Sequence, residues 1–520
     1  MFNSGGKEDL IKGKEVLNAE EKTKDIIEVD LHFNVNKMKE VFSFPENNAL
    51  KIRQLYLPHY NKNVAVLFIE GTIDTNIIDS HIIKPLLEKS DRQNKKRDFV
   101  FTILTSVLTT ADAKEITTFQ DVAADLVNGN TILFIENEKS AISVETAGFE
   151  NRALSIPTNE TDLVGPKVAF NESAAMNRSL LRRILKNPGL ICETITIGKG
   201  NPRDISVMYL KDVADESIVK NVKDRIEKIE TDAVLSLAQV EQYLDKSPYS
   251  LFPSSLLTER PDRTASFLLE GHVILLMDNA PVSLIAPITF WSLFHTVEDQ
   301  YLRMPYGNFL RIIRLTSLLI ALLLPGIYIA TTTFHPGMIP TDLMLSIAAT
   351  RERNPFPIII EILIMEVSFE ILREAGTRVP TVLGPTIGIV GALILGQAAV
   401  QANIISPILV VIVAITGLAS FAIPDIQLNI SIRMLRFILL FSAGFLGVFG
   451  FSIALAILVA YLVSHKSFGV PFFAPLTPYY PSSKDTLGRP IIWKQWLRPL
   501  SMSPKDKVRK PRPKGDADRD

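Results

Sequence analysis

A long stretch without a charged side chain constrains the fold of this chain more than any other feature. From Val379 to Pro424 there is no Asp, Glu, Lys or Arg. One helix needs roughly 20 apolar residues to cross the hydrocarbon of a bilayer, so this stretch is long enough for two crossings. The sequence therefore predicts a membrane hairpin here and a chain divided into a soluble half and a membrane half.

The segment just before this stretch, Pro355 to Glu374, is apolar but carries acids through its middle. Carboxylates at membrane depth cost a few kcal/mol each, so they should pair, face a wet cavity, or belong to a segment that does not cross. Helical spacing puts all but the first of the candidate residues on one face. The candidates for a pore or a subunit contact are Glu361, Glu366, Glu370, Arg373 and Glu374. Either they line a cation path or pair with a neighbouring subunit, or they are the wet face of an interfacial helix.

Small residues recur every four positions within the charge-free stretch. They are Gly384, Gly388, Ala392 and Gly396. Such spacing lets two membrane helices approach closely, which predicts helix packing. Three amides follow, and they either bond to a partner helix or line the same pore. They are Gln397, Gln401 and Asn403.

Four crossings agree best with the distribution of basic residues. The predicted spans are Leu315–Phe334, Thr381–Gln401, Ile404–Pro424 and Phe437–Val463. Arginines before the first span and the Lys/Arg-rich tail are expected in the cytosol by the positive-inside rule, which requires an even number of crossings. This count leaves the acidic segment as a non-spanning or cavity-lining element; a fifth crossing is the alternative.

Two similar strand and helix units indicate that the soluble half is α/β. Val64 to Ile69 is a run of β-formers followed by Asp74 and a helical pattern, and the same pattern recurs 141 positions later, with Asp215 at the place of Asp74. Each Asp is predicted to cap a helix. The predicted fold is thus an α/β cytosolic region of two subdomains followed by a multi-span α-helical membrane domain.

The predicted domain bounds follow from these patterns. They are a mobile charged leader at 1–45, α/β subdomains at 46–156 and 157–245, a linker and juxtamembrane hairpin at 246–310, the membrane domain at 311–475, and a basic cytosolic tail at 476–520.

Composition argues against several functions. A net charge of −1 gives no sign of nucleic-acid binding, and the single Cys192 excludes internal disulfides. Its apolar surroundings predict a buried thiol. The histidines are dispersed, with no phosphate loop, nucleophile elbow or metal-ligand spacing, so we expect no enzyme activity, cofactor or metal. Because the first residues are polar and charged, we expect no signal peptide and a soluble half that remains in the cytosol.

Several motifs occur together in one order along the chain. They are Gly165–Lys167, Phe170–Ser173, Asn177–Arg183, Phe252–Pro253, Thr258–Asp262, Pro355–Pro357, Glu361, Met365–Glu366, Glu370, Arg373–Gly376, Arg378, Pro380, Gly396–Val400 and Ser467–Gly469. With these motifs the chain resembles the A-subunit family of bacterial spore germinant receptors, the GerA family, from about Leu50 to Pro478. It departs from the family pattern at Ile184, at 198–203 and at Thr377.

The resemblance implies a non-enzymatic A subunit of a nutrient germinant receptor in the spore inner membrane, with its N-terminal region in the cytosol. Its implied partners are a permease-like B subunit and a C lipoprotein, and it would assemble with copies of itself into a ligand-gated ion conduit that triggers germination. The alternative is a transporter or permease component that carries a solute, and saturable solute uptake would distinguish it. An enzyme in the soluble half has no positive support.

Overall fold

The first sheet of the protein lies between two layers of helices. The computed structural model describes residues 25–88, 99–110, 112–148, 156–162, 164–352, 354–378, 396–480 and 485–511. The chain divides into a soluble unit, which holds residues 1–246, 257–286 and 502–507, and a second unit, which holds 247–256, 287–501 and 508–520.

The soluble unit contains two five-stranded sheets. The elements of the first are α1 (Leu31–Val41), β1 (Leu50–Leu57), β2 (Lys62–Ile69), α2 (Thr75–Ile77, Ile78–Ile83 and Lys84–Leu87), α3 (Phe99–Thr102 and Ile103–Val107), β3 (Ala113–Ile116), α4 (Phe119–Asn128), β4 (Asn130–Ile135) and β5 (Ala141–Glu145). Alternate side chains of β2 enter opposite core clusters, with Leu67 packed against α1 and α4 and Val66 against α2 and α3. Burial on both faces explains why these strands are apolar without interruption.

The second sheet repeats the topology of the first. Its elements are α5 (Ala174–Ile184), β6 (Leu190–Ile197), β7 (Arg203–Leu210), α6 (Glu216–Glu227), α7 (Leu237–Leu244), β8 (Leu256–Thr258), α8 (Pro261–Leu268), β9 (Val273–Met277) and β10 (Ser283–Ala286). The strand orders are β1-β2-β4-β5-β3 and β6-β7-β9-β10-β8, so equivalent strands occupy equivalent places. The predicted caps are confirmed, because Asp74 accepts a hydrogen bond from the N–H of Asn76 and Asp215 from that of Ser217.

The predicted mobile leader is wrong for its second part. Residues 31–41 form α1, and Leu31, Val35 and Met38 of this helix are buried in the core of the first sheet. The segment has few apolar residues, but these three share one helix face, and the core of the sheet covers that face. Residues 1–24 lie outside the described part of the chain.

The predicted bounds of the second subdomain are also wrong. Its sheet continues to Ala286, because β9 pairs with β7 and β10 pairs with β9. The hairpin that we assigned to a juxtamembrane linker therefore completes the second sheet. A partner strand that lies 65 or more positions away in sequence leaves no local signal, which explains the error.

The second unit consists mainly of helices. They are α9 (Phe290–Phe294), α10 (Glu298–Tyr301), α11 (Met304–Ile329, continued by Ala330–Phe334), α12 (Thr341–Arg351), α13 (Ile358–Arg378), α14 (Pro407–Phe421) and α15 (Ile426–Ser464), followed by the short strands β11 (Lys466–Ser467) and β12 (Val470–Pro471). Among the described residues, Met304–Phe334 and Ile426–Ser464 are long and apolar enough to cross a membrane. Most of the predicted span Thr381–Gln401 lies outside the described residues.

Helix α15 is a hairpin of two arms. Gly447 has φ 62° and ψ −145°, which is not a helical conformation. Ser431 before it donates to the carbonyl of Leu251, while the hydroxyl of Tyr461 after it bonds to Ser250 at 2.8 Å. A straight helix would hold these two residues about 45 Å apart at ~1.5 Å per residue, so the arms 426–446 and 448–464 run antiparallel. The single span predicted for Phe437–Val463 is therefore wrong.

Candidate functional site

The acidic helix α13 lies lengthwise between the first arm of α15 and helix α14. Along the first arm, Glu366 meets Arg436 and Glu370 meets Arg433, an antiparallel register. Along α14, Arg373 donates to Ser420 at 2.7 Å and Ser406 donates its N–H to Glu361 at 3.2 Å, a parallel register. A helix of 21 residues packed in this way along its length is a full member of the bundle, not a peripheral element.

The carboxylate of Glu366 forms a buried ion pair within this chain. Arg436 reaches it with Nη2 at 2.8 Å, and the two side chains are only 1% and 2% exposed. The same nitrogen bonds to Glu370 at 3.0 Å, and Glu370 also receives Arg433 through two guanidinium nitrogens. A buried charge needs a partner of this kind, since an isolated one costs several kcal/mol. The interfacial interpretation is therefore wrong for Glu366, whose carboxylate is not in water.

Arg373 adds a third cation to this cluster. Its guanidinium lies 3.7 Å from Glu370 and 5.0 Å from the ring centre of Phe421. Three arginines thus face two glutamates. We call this set, Glu366, Glu370, Arg373, Arg433 and Arg436, the inner cluster.

Glu361 lies at the opposite end of the acidic helix. Its side chain is 1% exposed and accepts the N–H of Ser406, the residue that caps the start of α14. Arg351 stands 3.9 Å away. A carboxylate at a helix start complements the helix dipole, so Glu361 positions α14.

The other predicted site residues lie apart from the inner cluster. Glu374 is exposed and bonds to Arg378 at 2.6 Å. The side chains of Gln397, Gln401 and Asn403 are exposed. Gly396 lies against Val410 of α14. Gly384, Gly388 and Ala392 lie outside the described residues.

Sequence reasoning missed the basic half of the inner cluster. Arg433 and Arg436 precede the predicted span Phe437–Val463, but in the structure they lie inside the first arm of α15. A useful signal was present: two arginines three positions apart match acids four positions apart on another helix. Their separation of more than 60 positions hides the pairing in a single sequence.

A second buried charge cluster holds the start of the first apolar helix. Asp299 is 1% exposed and accepts from Arg311 at 3.0 Å and from Arg314 at 3.1 Å. Burial alone would raise the pKa of Asp299, but the hydrogen bonds and charges of Arg314 and Arg311 outweigh it and hold the pKa below its usual value. The start of the predicted basic tail packs against this cluster, because Asp485 pairs with Arg311 and Arg489 donates to the Leu302 carbonyl at 2.9 Å.

One motif behind the family resemblance has a structural explanation in the soluble unit. Arg260 is 2% exposed and binds Asp162 and Asp262, each at 2.7 Å. The neighbouring Glu259 accepts the backbone N–H groups of Asn159 and Glu160 at 2.6 and 2.7 Å. This cluster fixes the segment before the second sheet onto helix α8.

Replacing Arg260 with methionine should lower the free energy of unfolding by about 3 kcal/mol, because it leaves two carboxylates buried without their cation. Thermal unfolding of the purified chain measures the change. Lys199→Met is the matched control, since Lys199 and Glu230 form an exposed pair; it should change the stability by less than about 0.5 kcal/mol. Equal losses in both variants would contradict a special role for the buried cluster.

Cys192 is a core thiol, as predicted. It is 3% exposed, and burial raises its pKa. Among the described residues, no group of three or more His, Cys, Asp or Glu side chains could hold a metal ion.

Comparisons with known proteins give one consistent family. The profile described as Bacillus/Clostridium GerA spore germination protein matches residues 36–501. Spore germination protein KA of Bacillus subtilis is 40% identical over 86% of this chain and 82% of its own length. The uncharacterized membrane protein YfkQ of the same species is 39% identical, over 84% of this chain and 85% of its own length. A crystal structure of the N-terminal domain of the A subunit of the Bacillus megaterium spore germinant receptor GerK3 is 24% identical, with a TM-score of 0.40, and covers 51% of this chain and 97% of that one.

Proposed function

Since the chain belongs to the GerA family of spore germination proteins, we propose that it is the A subunit of a nutrient germinant receptor that triggers germination. Copies of it form a ligand-gated ion conduit in the spore inner membrane. The observation that carries this proposal is the family match over residues 36–501, which includes both the soluble unit and the helical bundle.

The described helices of the bundle supply five crossings, which are helix α11, helix α13, helix α14 and the two arms of α15. The four crossings expected from the sequence did not count α13 or the second arm of α15. Because α13 and α14 run parallel, Arg378 and Pro407 lie at opposite ends of the bundle.

The charges of the bundle support a cytosolic N-terminal region. The end that holds the start of α11, the start of α15 and the finish of its second arm carries most of the cations: Arg303, Arg311, Arg314, Arg373, Arg378, Arg433 and Arg436. The other end of the bundle is the one where Phe334 meets Gly447. There, Arg351 is the basic residue nearest to Glu361, at 3.9 Å. Lys and Arg prefer the cytosolic side, so the first end is assigned to the cytosol.

Among the described residues, the space between α13 and the first arm of α15 holds no ion path. It is filled by ion pairs, of which Glu366 and Arg436 are only 1% and 2% exposed. The ion path that we propose lies between copies, in a homo-oligomer. Apolar side chains such as Phe445 and Phe449 are 73% and 70% exposed, and lipid or neighbouring subunits cover them. A permease-like B subunit that recognises the nutrient and a C lipoprotein complete the receptor.

Ion release from spores tests this proposal. Spores that lack this chain should lose nutrient-triggered ion release, and restoring the chain should restore it. The purified receptor in liposomes should conduct ions down their gradient when the nutrient is added. Saturable uptake of a solute without ion flux would support a transporter and contradict the proposed conduit.

A further inference from the structure

Three glutamates of helix α13 are spaced by about one helical turn. Glu366, Glu370 and Glu374 follow one another at intervals of four residues, so they lie on one face about 6 Å apart along the axis. The first two hold Arg436 and Arg433. Glu374, 64% exposed, stands one turn further toward the cytosolic end.

Several buried atoms of the inner cluster have no hydrogen-bond partner in the present position of α13. Among its buried atoms, Oε1 of Glu366, Nε of Arg436, and Nε and Nη1 of Arg373 have no hydrogen-bond partner. Three arginines also face only two carboxylates. These donors and this acceptor, left over at the same place, are available for a different pairing.

The outer anchor of the same helix is weak as well. Oε1 of Glu361 and Nε of Arg351 are both buried without a hydrogen-bond partner, and the two groups stand 3.9 Å apart. The ring of Phe369 packs directly on Gly417 of α14, and Ile359 packs on Gly444 of α15. A movement of α13 along its axis therefore lifts these two side chains from the glycines.

We propose that α13 is a ratchet that shifts by one turn between two registers, so that Glu370 and Glu374 replace Glu366 and Glu370 at Arg436 and Arg433. This inference rests on the proposed conduit and names its gating movement. The shift moves α13 by about 6 Å toward the outer end of the bundle, a size known for helix ratchets. It brings Glu374 to Arg433 while Glu366 moves one turn past Arg436, and it breaks the contact of Glu361 with Ser406.

Glu374 separates the two registers experimentally, because it joins the cluster only after the shift. Glu374→Gln should assemble in normal amounts, since the side chain is exposed, yet slow nutrient-triggered ion release by about tenfold, the effect of one missing charge-assisted hydrogen bond in the shifted register. Glu374→Asp keeps the charge and should release ions at nearly the normal rate. Arg378→Gln removes one present partner of Glu374 but leaves the glutamates of α13 unchanged, so it should release ions at the normal rate or faster.

Complex abundance and ion efflux are measured in the same spores. A normal rate of ion release for Glu374→Gln would overturn the ratchet. Equal slowing by Glu374→Gln and Arg378→Gln would also overturn it, because the exposed ion pair between Glu374 and Arg378 would then explain the effect. Absence of nutrient-triggered ion flux from the unmodified receptor in liposomes would overturn the conduit itself, so the two failures are distinguishable.

Discussion

Gly447→Leu should remove most of the protein from the membrane fraction. The backbone at this position has φ 62° and ψ −145°, a region that essentially only glycine adopts, and a Cβ here would lie 2.8 Å from Phe334. The backbone strain alone costs about 1–3 kcal/mol, and the clash adds a similar amount. Since the two arms of α15 cannot then fold back on each other, we expect misassembly and degradation. Immunoblots of membranes and size-exclusion profiles in detergent measure this.

Gly376→Leu is the matched control for this substitution. Gly376 lies in helix α13, its φ is not positive, and a Cβ built on it meets nothing within 4 Å. It should leave the amount of protein nearly unchanged. If Gly447→Leu accumulated as well as Gly376→Leu, the hairpin would not depend on this backbone conformation.

Glu366→Gln should also lower the amount of assembled protein strongly. Breaking a buried ion pair by changing one partner costs about 3–5 kcal/mol, because the other charge stays buried. Arg436 keeps only Glu370 in this variant, and Glu370 is shared with Arg433. Quantified complex in spore membranes, together with ion efflux from the same spores, tests the expectation.

The double variant Glu366→Leu with Arg436→Met is its control. Replacing both members of a buried pair with apolar residues of similar size is often neutral, so the amount of complex should recover. Glu370 retains Arg433 in this variant. A Glu366→Gln protein that assembled normally but released ions slowly would instead favour the interpretation that Glu366 lines a cation path.

Local sequence patterns were sufficient for much of the soluble unit. The strands at 64–69 and 205–210 and their Asp-capped helices were predicted, because apolar runs, β-formers and capping side chains act within a few residues. The repeat of this pattern after 141 positions anticipated the second sheet. Its remaining strands, β8 to β10, were misassigned because nothing local says which sheet they join.

In the apolar half of the chain, local sequence patterns were not sufficient to predict the fold. Gly444, Gly447 and Gly450 recur on one side of an ideal helix, and this pattern alone cannot distinguish a packing face from a reversal of the chain. Likewise the acidic stripe was visible, but its partners lie on a helix more than 60 positions away.

The sequence by itself determined the family, the division into a soluble and an apolar half, and the acidic face of helix α13, because composition and periodicity are properties of neighbouring residues. The tertiary structure alone decided that α15 turns back at Gly447 and that Arg433 and Arg436 neutralise Glu370 and Glu366. The physical reason is the cost of burying charge. Each carboxylate must meet a cation, and only the folded bundle determines which cation is within reach.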